Sequence, residues 1–339
     1  MMVPAKSESD IAPDEDFRTA AAYALEHRVD QISNLSIGLL DVTDTGPAEA
    51  MWLATRRLRA AIELFRPCFS KSQYRGGREE VRALTSAVGK RRDLDRIIEI
   101  VEAVAVEMDP AGQEGIQRLT DRLRGEQSDA NRTLAQSVHG RRMQAFRVRI
   151  EDLSDVAIDD PEIDGRSDHH ALEVVPERTR ELVGIRLARL RASAPDALQP
   201  EAVKAQHRIR VAAERLRYAL ELTAEGLGSQ AHTARRAARG LQEILGEIRD
   251  CDLVLPEVRE QIRLFEEEDV ATLIDRARGS RDLDPILVQG APNRTFYRGH
   301  ELLIVHLLTR RRMMYERFKR LWLEQSRQGV WVALESSLK

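Results

Sequence analysis

The sequence predicts an all-α protein, and three observations support this fold class. Apolar residues recur at steps of three and four along almost the whole chain, the spacing of helices with one buried face. Charged residues make up 32% of the 339 residues and aromatic residues only 4%, a balance typical of helices with long polar faces. No segment shows a convincing strand pattern of alternating apolar and polar residues.

Proline residues mark several of the predicted helix boundaries. Pro47 and Pro110 favour the first turn of a helix, whereas Pro195 and Pro200 end one helix and begin the next. In chain order, helices are predicted over 13–40, 47–70, 76–107, 112–137, 139–155, 172–193, 199–225, 229–267 and 298–327. The segment 159–171 is acidic and rich in turn-forming residues, so it is predicted to be a linker.

Composition excludes several classes of protein. Hydrophobic residues make up 42% of the chain, enough for a buried core, which excludes wholesale disorder. The 53 basic and 56 acidic residues nearly cancel to −3, so any anion-binding surface has to come from local segregation of charge. Two cysteines, no apolar run of about 18 residues and no signal-peptide core predict a soluble, cytoplasmic protein without a membrane span.

Two unlike motifs occur in the same order in both halves of the chain. The arginine-rich stretch 54–64 matches 212–222, and a Gly-x-x-Arg-Asp-x-Asp motif follows each of them. Because both motifs recur at nearly the same offset, the sequence predicts an internal duplication. Each half holds about four helices, so we expect two pseudo-symmetric antiparallel four-helix bundles with a seam or central cavity between them. Their predicted bounds are 13–158 and 172–328, on either side of the linker.

The second arginine-rich stretch places basic side chains along one stripe of a helix. At about 100° per residue, His207, Arg210 and Arg217 share this stripe, with apolar residues roughly opposite. Guanidinium groups at this spacing suit phosphate oxygens, which arginine binds in a bidentate manner. The alternative is a solvated face with intrahelical pairs from Arg210 to Glu214 and from Arg217 to Glu221. Recurrence of the Arg-Leu-Arg triplet, at 57–59 in the first half and at 215–217 in the second, favours a binding role.

These residues carry a resemblance to a known family. The stretch 206–222 resembles the second signature helix of the CHAD family, the conserved-histidine α-helical domain, and 54–61 resembles the first. The two Gly-x-x-Arg-Asp-x-Asp motifs also resemble that family, so the resemblance covers nearly the whole chain. It implies two four-helix bundles around a basic cavity that binds inorganic polyphosphate. The sequence departs from the family pattern at Glu49 and Trp52, where a histidine and an arginine are usual, and at Glu214, where a lysine or arginine is usual.

The resemblance implies a non-enzymatic protein that binds polyphosphate and associates with polyphosphate-containing granules. Other phosphate-rich polyanions are further candidate partners, and no cofactor is expected. Because the contact is electrostatic, we expect affinity to fall with salt and a protonated imidazole to tighten binding below about pH 7. The candidate binding residues are His207, Arg210, Arg217, Arg56, Arg59, Arg57, Arg215, Arg92 and Arg249.

Other functions are weighed against this one. Paired acids beside Arg92 and Arg249 suggest a metal or acid–base site, but we favour a structural role in which Arg–Asp contacts fix one helix against another. The histidines lack ligand-like spacing, so no metal site is predicted. Phosphotransfer through His207 is disfavoured because the sequence has no Gly-rich phosphate loop and no nucleophile elbow. RNA binding, which the few aromatic residues disfavour, and a granule-coating structural role are the remaining alternatives.

Overall fold

The structure is a computed structural model, and it describes residues 17–159 and 175–339. Within these ranges the chain is helical and contains no strand, which confirms the all-α fold class. The α-helices of the described chain are α1 (Phe17–Leu35), α2 (Gly46–Leu64), α3 (Lys71–Ala105), α4 (Pro110–Val138), α5 (Gly140–Asp159), α6 (Val175–Ala197), α7 (Val203–Leu227), α8 (Ser229–Arg276), α9 (Pro285–Val288), α10 (Tyr297–Arg327) and α11 (Val330–Ser337). A one-turn 3₁₀ helix, Arg66–Cys68, follows α2.

Local chemistry explains two differences from the predicted helix bounds. The prediction that the first helix reaches residue 40 is wrong: the Ser36 hydroxyl donates to the Ser33 carbonyl at 2.6 Å, and Gly38 adopts a left-handed φ of +80°. The prediction that Pro195 ends a helix is also wrong, because α6 continues to Ala197. Pro195 is exposed and lies in the last turn, where water can satisfy the carbonyl that loses its hydrogen bond.

Two compact units make up the described chain, and neither coincides with one half of the sequence. The first comprises the described residues of Met1–Arg92, Ala130–Gly246 and Glu316–Lys339, and the second comprises Asp93–Asp129 and Glu247–Tyr315. Helices α3, α4, α8 and α10 contribute a segment to each unit. The bundles over 13–158 and 172–328 are predicted from the internal sequence repeat. The division into two compact units does not test that repeat, so the two bundles stay a prediction. Of the predicted linker 159–171, only Asp159, the last residue of α5, is described.

In the first unit, each helix buries an apolar face against its neighbours. Helix α1 packs against α2 and α5, α6 packs against α7, and α2 also contacts α7. Leu25, Leu58, Ile62 and Ile150 are fully buried in the core of this unit, and burial of each such side chain is worth about 1.5–3 kcal/mol. This packing fixes the direction in which the polar faces of α2 and α7 point.

The second unit has its own core, to which four helices contribute. Val101 of α3, Leu119 of α4, Val254 of α8 and Leu303 of α10 are fully buried in it. The four segments therefore bury their apolar faces against one another within this unit. Among the described residues, no helix combines the length and the apolar character needed to cross a membrane.

Candidate anion-binding surface

Helices α2 and α7 carry the two arginine-rich stretches, and they contact each other in the first unit. Leu58 and Ile62 of α2, and Ile209 and Leu216 of α7, are fully buried. Because successive helical residues point about 100° apart, burial of these side chains leaves the arginines on the remaining faces. We call this surface the arginine seam, and it comprises Arg56, Arg57, Arg59 and Glu63 of α2, Arg186 of α6, and Arg210, Glu214, Arg215, Arg217 and Glu221 of α7.

Glu214 joins the two helices through an ion pair. It is fully buried and pairs with Arg56 across the seam and with Arg210 one turn away, at 3.3 Å. Arg210 is itself only 6% exposed. A buried carboxylate loses several kcal/mol of solvation unless cations and hydrogen bonds compensate for it, and here two guanidiniums do so. The residue that departs from the family pattern therefore neutralises two of the predicted binding arginines.

Glu221 repeats this arrangement further along α7. It accepts a hydrogen bond from Arg217 at 2.6 Å, and its other oxygen lies 3.6 Å from Nε of Arg57 on α2. The Arg217 guanidinium also lies over the ring of Tyr218, 4.6 Å from the ring centroid. Two predicted residues, one from each half of the sequence, thus meet at one carboxylate.

Glu63 is the third shared carboxylate. It accepts hydrogen bonds from Arg59 of the same helix at 3.2 Å and from Arg186 of α6 at 2.5 Å. Its side chain is only 14% exposed, so solvent screens these contacts weakly. In the seam as a whole, six guanidiniums share three carboxylates. The cations therefore outnumber the seam carboxylates that neutralise them.

Arg215 differs from the other arginines of the seam. Its guanidinium forms no hydrogen bond or ion pair with any residue that the structure describes. Burial lowers the pKa of its guanidinium, and the charges of Arg186, Arg59 and Arg56 lower it further against the opposing effect of Glu63. Binding of an anion at this half-buried cation would relieve both the repulsion and the loss of solvation.

The first-half departures from the family pattern, Trp52 and Glu49, also contact arginines. The guanidiniums of Arg56 and Arg92 each lie over the Trp52 ring, 4.6 Å from its centroid. Arg92 also pairs with Glu49. Trp52 therefore joins the predicted residue Arg92 to the Arg56 end of the seam.

The predicted residue His207 lies on a different surface from the shared carboxylates. It is exposed near the start of α7, where it lines a cleft between α6 and α7. Arg215 lines the same cleft and also a small pocket between α2 and α7. That pocket is lined by Tyr218, which is buried; burial raises its pKa to about 12, and its hydroxyl bonds no described protein group. Arg215 thus connects the seam to the cleft that holds His207.

Charge is segregated between the two units. The described residues of the first unit contain 36 Arg and Lys against 23 Asp and Glu, a net charge of +13. The second unit contains 15 Arg and Lys against 23 Asp and Glu, a net charge of −8. The near-neutral whole-chain charge conceals this difference. The unit that carries the seam therefore attracts polyanions, and the other repels them.

Comparison with known proteins decides the family of this chain. The model of the CHAD domain family matches residues 23–258, more than two thirds of the chain. The chain belongs to the CHAD domain family. It is similar to the crystal structure of the CHAD domain from the plant Ricinus communis, with 18% identity over 97% of this chain and 93% of that chain and a TM-score of 0.58. It is also similar to PptA from Streptomyces chartreusis, with 14% identity over 91% of this chain and 100% of that chain and a TM-score of 0.60.

At this level of identity the two solved structures show the shared fold alone. A search of curated proteins finds no match to this chain. The family predicted from the signature stretches is confirmed, whereas the binding roles of individual residues stay predictions.

Two ion pairs of the second unit involve the Gly-x-x-Arg-Asp-x-Asp motifs of this CHAD domain; one joins the two motifs, and the other joins the second motif to Arg96, the residue after the first motif. Arg249 donates to Asp93 at 2.9 Å, and Arg96 donates to Asp250 at 2.8 Å. These bonds tie α3 to α8, in agreement with the structural role favoured from the sequence. Arg249, predicted as a binding residue, is engaged in one of these ion pairs.

Sequence reasoning missed three residues of this CHAD domain that the structure places in or beside the seam. Arg186 lies in α6, outside both repeated motifs, and its partner Glu63 reads in the sequence as an ordinary intrahelical acid. Tyr218 follows the seam residue Arg217 but is buried. The available signal was the spacing of Arg186 and Arg189, which places two guanidiniums on one face of the helix before the signature stretch.

Proposed function

We propose that this CHAD domain binds inorganic polyphosphate and does not catalyse a reaction. The observation that supports this most strongly is the excess of guanidiniums over carboxylates in the arginine seam. Polyphosphate is negatively charged along its whole length, so successive units can meet successive guanidiniums in charge-assisted hydrogen bonds. The positive charge of the first unit, +13, attracts such a chain from solution.

Shared carboxylates let the seam accept a ligand at low cost. Phosphate oxygens take hydrogen bonds first from Arg215 and then from arginines such as Arg59 and Arg217. When one guanidinium turns toward the ligand, the carboxylate that it leaves keeps its second arginine; Arg186, for example, stays with Glu63. Every buried carboxylate therefore keeps a cation partner. Loss of the last partner would cost several kcal/mol.

A binding role follows from the chemistry of these groups. Guanidiniums stay protonated at all physiological pH values, so they act as fixed cations and not as acids or bases. The seam carboxylates are already paired with arginines. We further propose that the protein is cytoplasmic and associates with polyphosphate-containing granules, as its resemblance to the family implies.

Titration with long-chain polyphosphate tests the proposal, by calorimetry at low and at high salt. We expect tight binding that weakens steeply with salt and a roughly hundredfold loss of affinity in Arg59→Gln/Arg215→Gln, since two charge-assisted bonds are removed. The matched control is Arg236→Gln/Arg239→Gln, which removes two charges from exposed positions of α8 in the same unit. Equal affinity in the two double variants, or salt-independent binding, would refute the proposed mode.

RNA is a second candidate because a unit with a net charge of +13 attracts any polyanion. The aromatic content of 4% supplies few rings on which bases can stack. In a competition at fixed salt and equal phosphate concentration, we expect polyphosphate to displace RNA. If the protein retains RNA in preference to polyphosphate, RNA is the ligand instead. If the Arg59→Gln/Arg215→Gln variant still associates with granules, a granule-coating structural role is favoured.

A further inference from the structure

The cleft between α6 and α7 is a second basic surface of the first unit. Its volume is about 470 Å³, within the range of about 300–1,000 Å³ typical of small-molecule sites. It is therefore the size of a compact ligand and not of a long polymer. The residues that give it its charge are Arg186, Arg189, Asp196, His207, Arg208 and Arg215.

One end of the cleft is strongly basic. Arg186 and Arg189 lie three residues apart and thus share a face of α6. The guanidinium of Arg189 is exposed and forms no hydrogen bond or ion pair with the part of the chain that the structure describes. Arg215 enters from α7, with its pKa lowered by burial and by the charge of Arg186 among others. Two of these three cations thus lack a described carboxylate partner within hydrogen-bonding distance.

Further along α6, the carboxylate of Asp196 marks the end of the part of the cleft that favours anions. Asp196 lies ten residues after Arg186, about 15 Å along the helix. It pairs with Arg208 of α7 at 3.1 Å, and both side chains are largely exposed. The carboxylate repels phosphate at this end and holds Arg208 away from a ligand. The part of the cleft that favours anions is therefore short.

We propose that the α6–α7 cleft binds a short run of phosphates, either a free oligophosphate or the end of a polyphosphate chain. Arg189 and Arg215 bind the phosphate oxygens, and Arg186 adds positive charge while it stays paired with Glu63. His207 lies on the same cleft as a further donor. This inference deepens the proposed function and rests on it for the chemistry of the ligand. It adds a site whose α6 arginines lie outside both signature stretches.

Calorimetric titration with tripolyphosphate tests the cleft. We expect Arg189→Gln to weaken binding roughly tenfold, the loss of one charge-assisted bond. Asp196→Asn should tighten binding several-fold, because it removes a negative charge and releases Arg208. The control is Arg191→Gln, an exposed position of the same helix that pairs with Glu335 and does not line the cleft; we expect it to leave the affinity unchanged.

The outcomes separate this inference from the proposed function. Folded wild type that binds long-chain polyphosphate but not tripolyphosphate, or equal tripolyphosphate affinity in Arg189→Gln and wild type, overturns the cleft and leaves the seam. Tripolyphosphate binding that Arg189→Gln weakens, without any binding of long chains, supports the cleft and overturns the seam. Displacement of tripolyphosphate by long-chain polyphosphate at equal concentration of chain ends assigns the cleft to chain ends; failure to displace assigns it to free oligophosphate.

Discussion

The two units of this CHAD domain use arginine in opposite ways. In the first unit, Glu63 and Glu214 are each shared by two arginines. In the second unit, Arg122 and Arg263 are each shared by two glutamates. The first arrangement leaves a surplus of cations and the second a surplus of anions, in line with net charges of +13 and −8.

The pKa values of two arginines shift in opposite directions in the two units. Hydrogen bonding to Glu260, together with the charges of Glu260 and Glu267, raises the pKa of Arg263. Burial and neighbouring guanidiniums lower the pKa of Arg215. Arg263 is thus satisfied within the chain, whereas Arg215 gains from an added anion. We therefore propose that the ratio of arginines to carboxylates, and not the number of arginines, determines which surface of this protein binds anions.

The largest expected effect concerns stability. Glu214→Ala should lower the free energy of unfolding by about 3–5 kcal/mol, because it leaves Arg210 buried with one carboxylate fewer. Asp93→Ala in the second unit should cost only about 1 kcal/mol or less, because the Asp93 side chain is 30% exposed and its pair with Arg249 is screened. Urea denaturation followed by circular dichroism measures both. Equal losses would contradict the contrast between the units.

The next effect concerns polyphosphate affinity. Arg215→Gln should weaken binding roughly tenfold, whereas Arg263→Gln should change it less than twofold, since Arg263 is held between two glutamates of the second unit. Both variants remove one positive charge from the same chain. Similar losses would show that net charge alone governs binding.

Two tyrosines provide a smaller test. Tyr218 of the first unit is buried with a hydroxyl that bonds no described group, whereas the Tyr297 hydroxyl donates to Asp269 at 2.9 Å in the second unit. Tyr218→Phe should therefore leave stability at neutral pH unchanged or slightly higher, and Tyr297→Phe should lower it by about 1 kcal/mol. The reverse order of stabilities in urea would contradict this assignment.

The raised pKa of Tyr218 adds a dependence on alkaline pH. Because the pKa is raised to about 12 in the folded protein, the unfolded chain releases the proton at lower pH. The Tyr218 contribution to stability is fully present below about pH 10 and is lost as the pH rises toward 12. Tyr218→Phe should flatten this part of the profile, and an unchanged profile would count against the shift.

The smallest expected effect belongs to His207. Imidazoles titrate between about pH 5 and 8, and His207 lines the α6–α7 cleft at an exposed position. Tripolyphosphate affinity should rise only a few-fold from pH 8 to pH 6, because one charge is added to several arginines. His207→Gln should remove the increase, which calorimetry at the two pH values measures. An increase that persists in the variant would assign it to another group.

Much of the fold and part of the site could be predicted from the sequence. Helical periodicity revealed the long helices. It also placed Arg56 and Arg217 on polar faces, because the apolar face of a helix is buried and the opposite face is then exposed. The eight-residue α11 escaped prediction because it is too short to establish a period. It packs through Trp331, which stacks on Trp322 at 5.9 Å. The division into two units was also not predicted, because periodicity does not show which helix segments share a core.

The pairing of charges could not be predicted for a related reason. Periodicity shows that Arg186 and Glu63 lie on polar faces, but their bond joins positions 123 residues apart and depends on how the helices pack. The same holds for Glu214, which reads in the sequence as the partner of Arg210 and also pairs with Arg56 of α2 in the structure. The sequence identified the arginines of α2 and α7 in the seam but not Arg186 of α6, and it did not show how far carboxylates neutralise these cations.

Glu214→Gln tests most directly the claim that the ratio of cations to carboxylates governs binding. The substitution keeps the size and an amide oxygen for hydrogen bonding, but removes the negative charge that Arg56 and Arg210 share. With folding verified by circular dichroism, polyphosphate titration over a range of salt concentrations should show several-fold tighter binding and a steeper salt dependence than wild type. Unchanged or weaker binding by the folded variant would contradict the account.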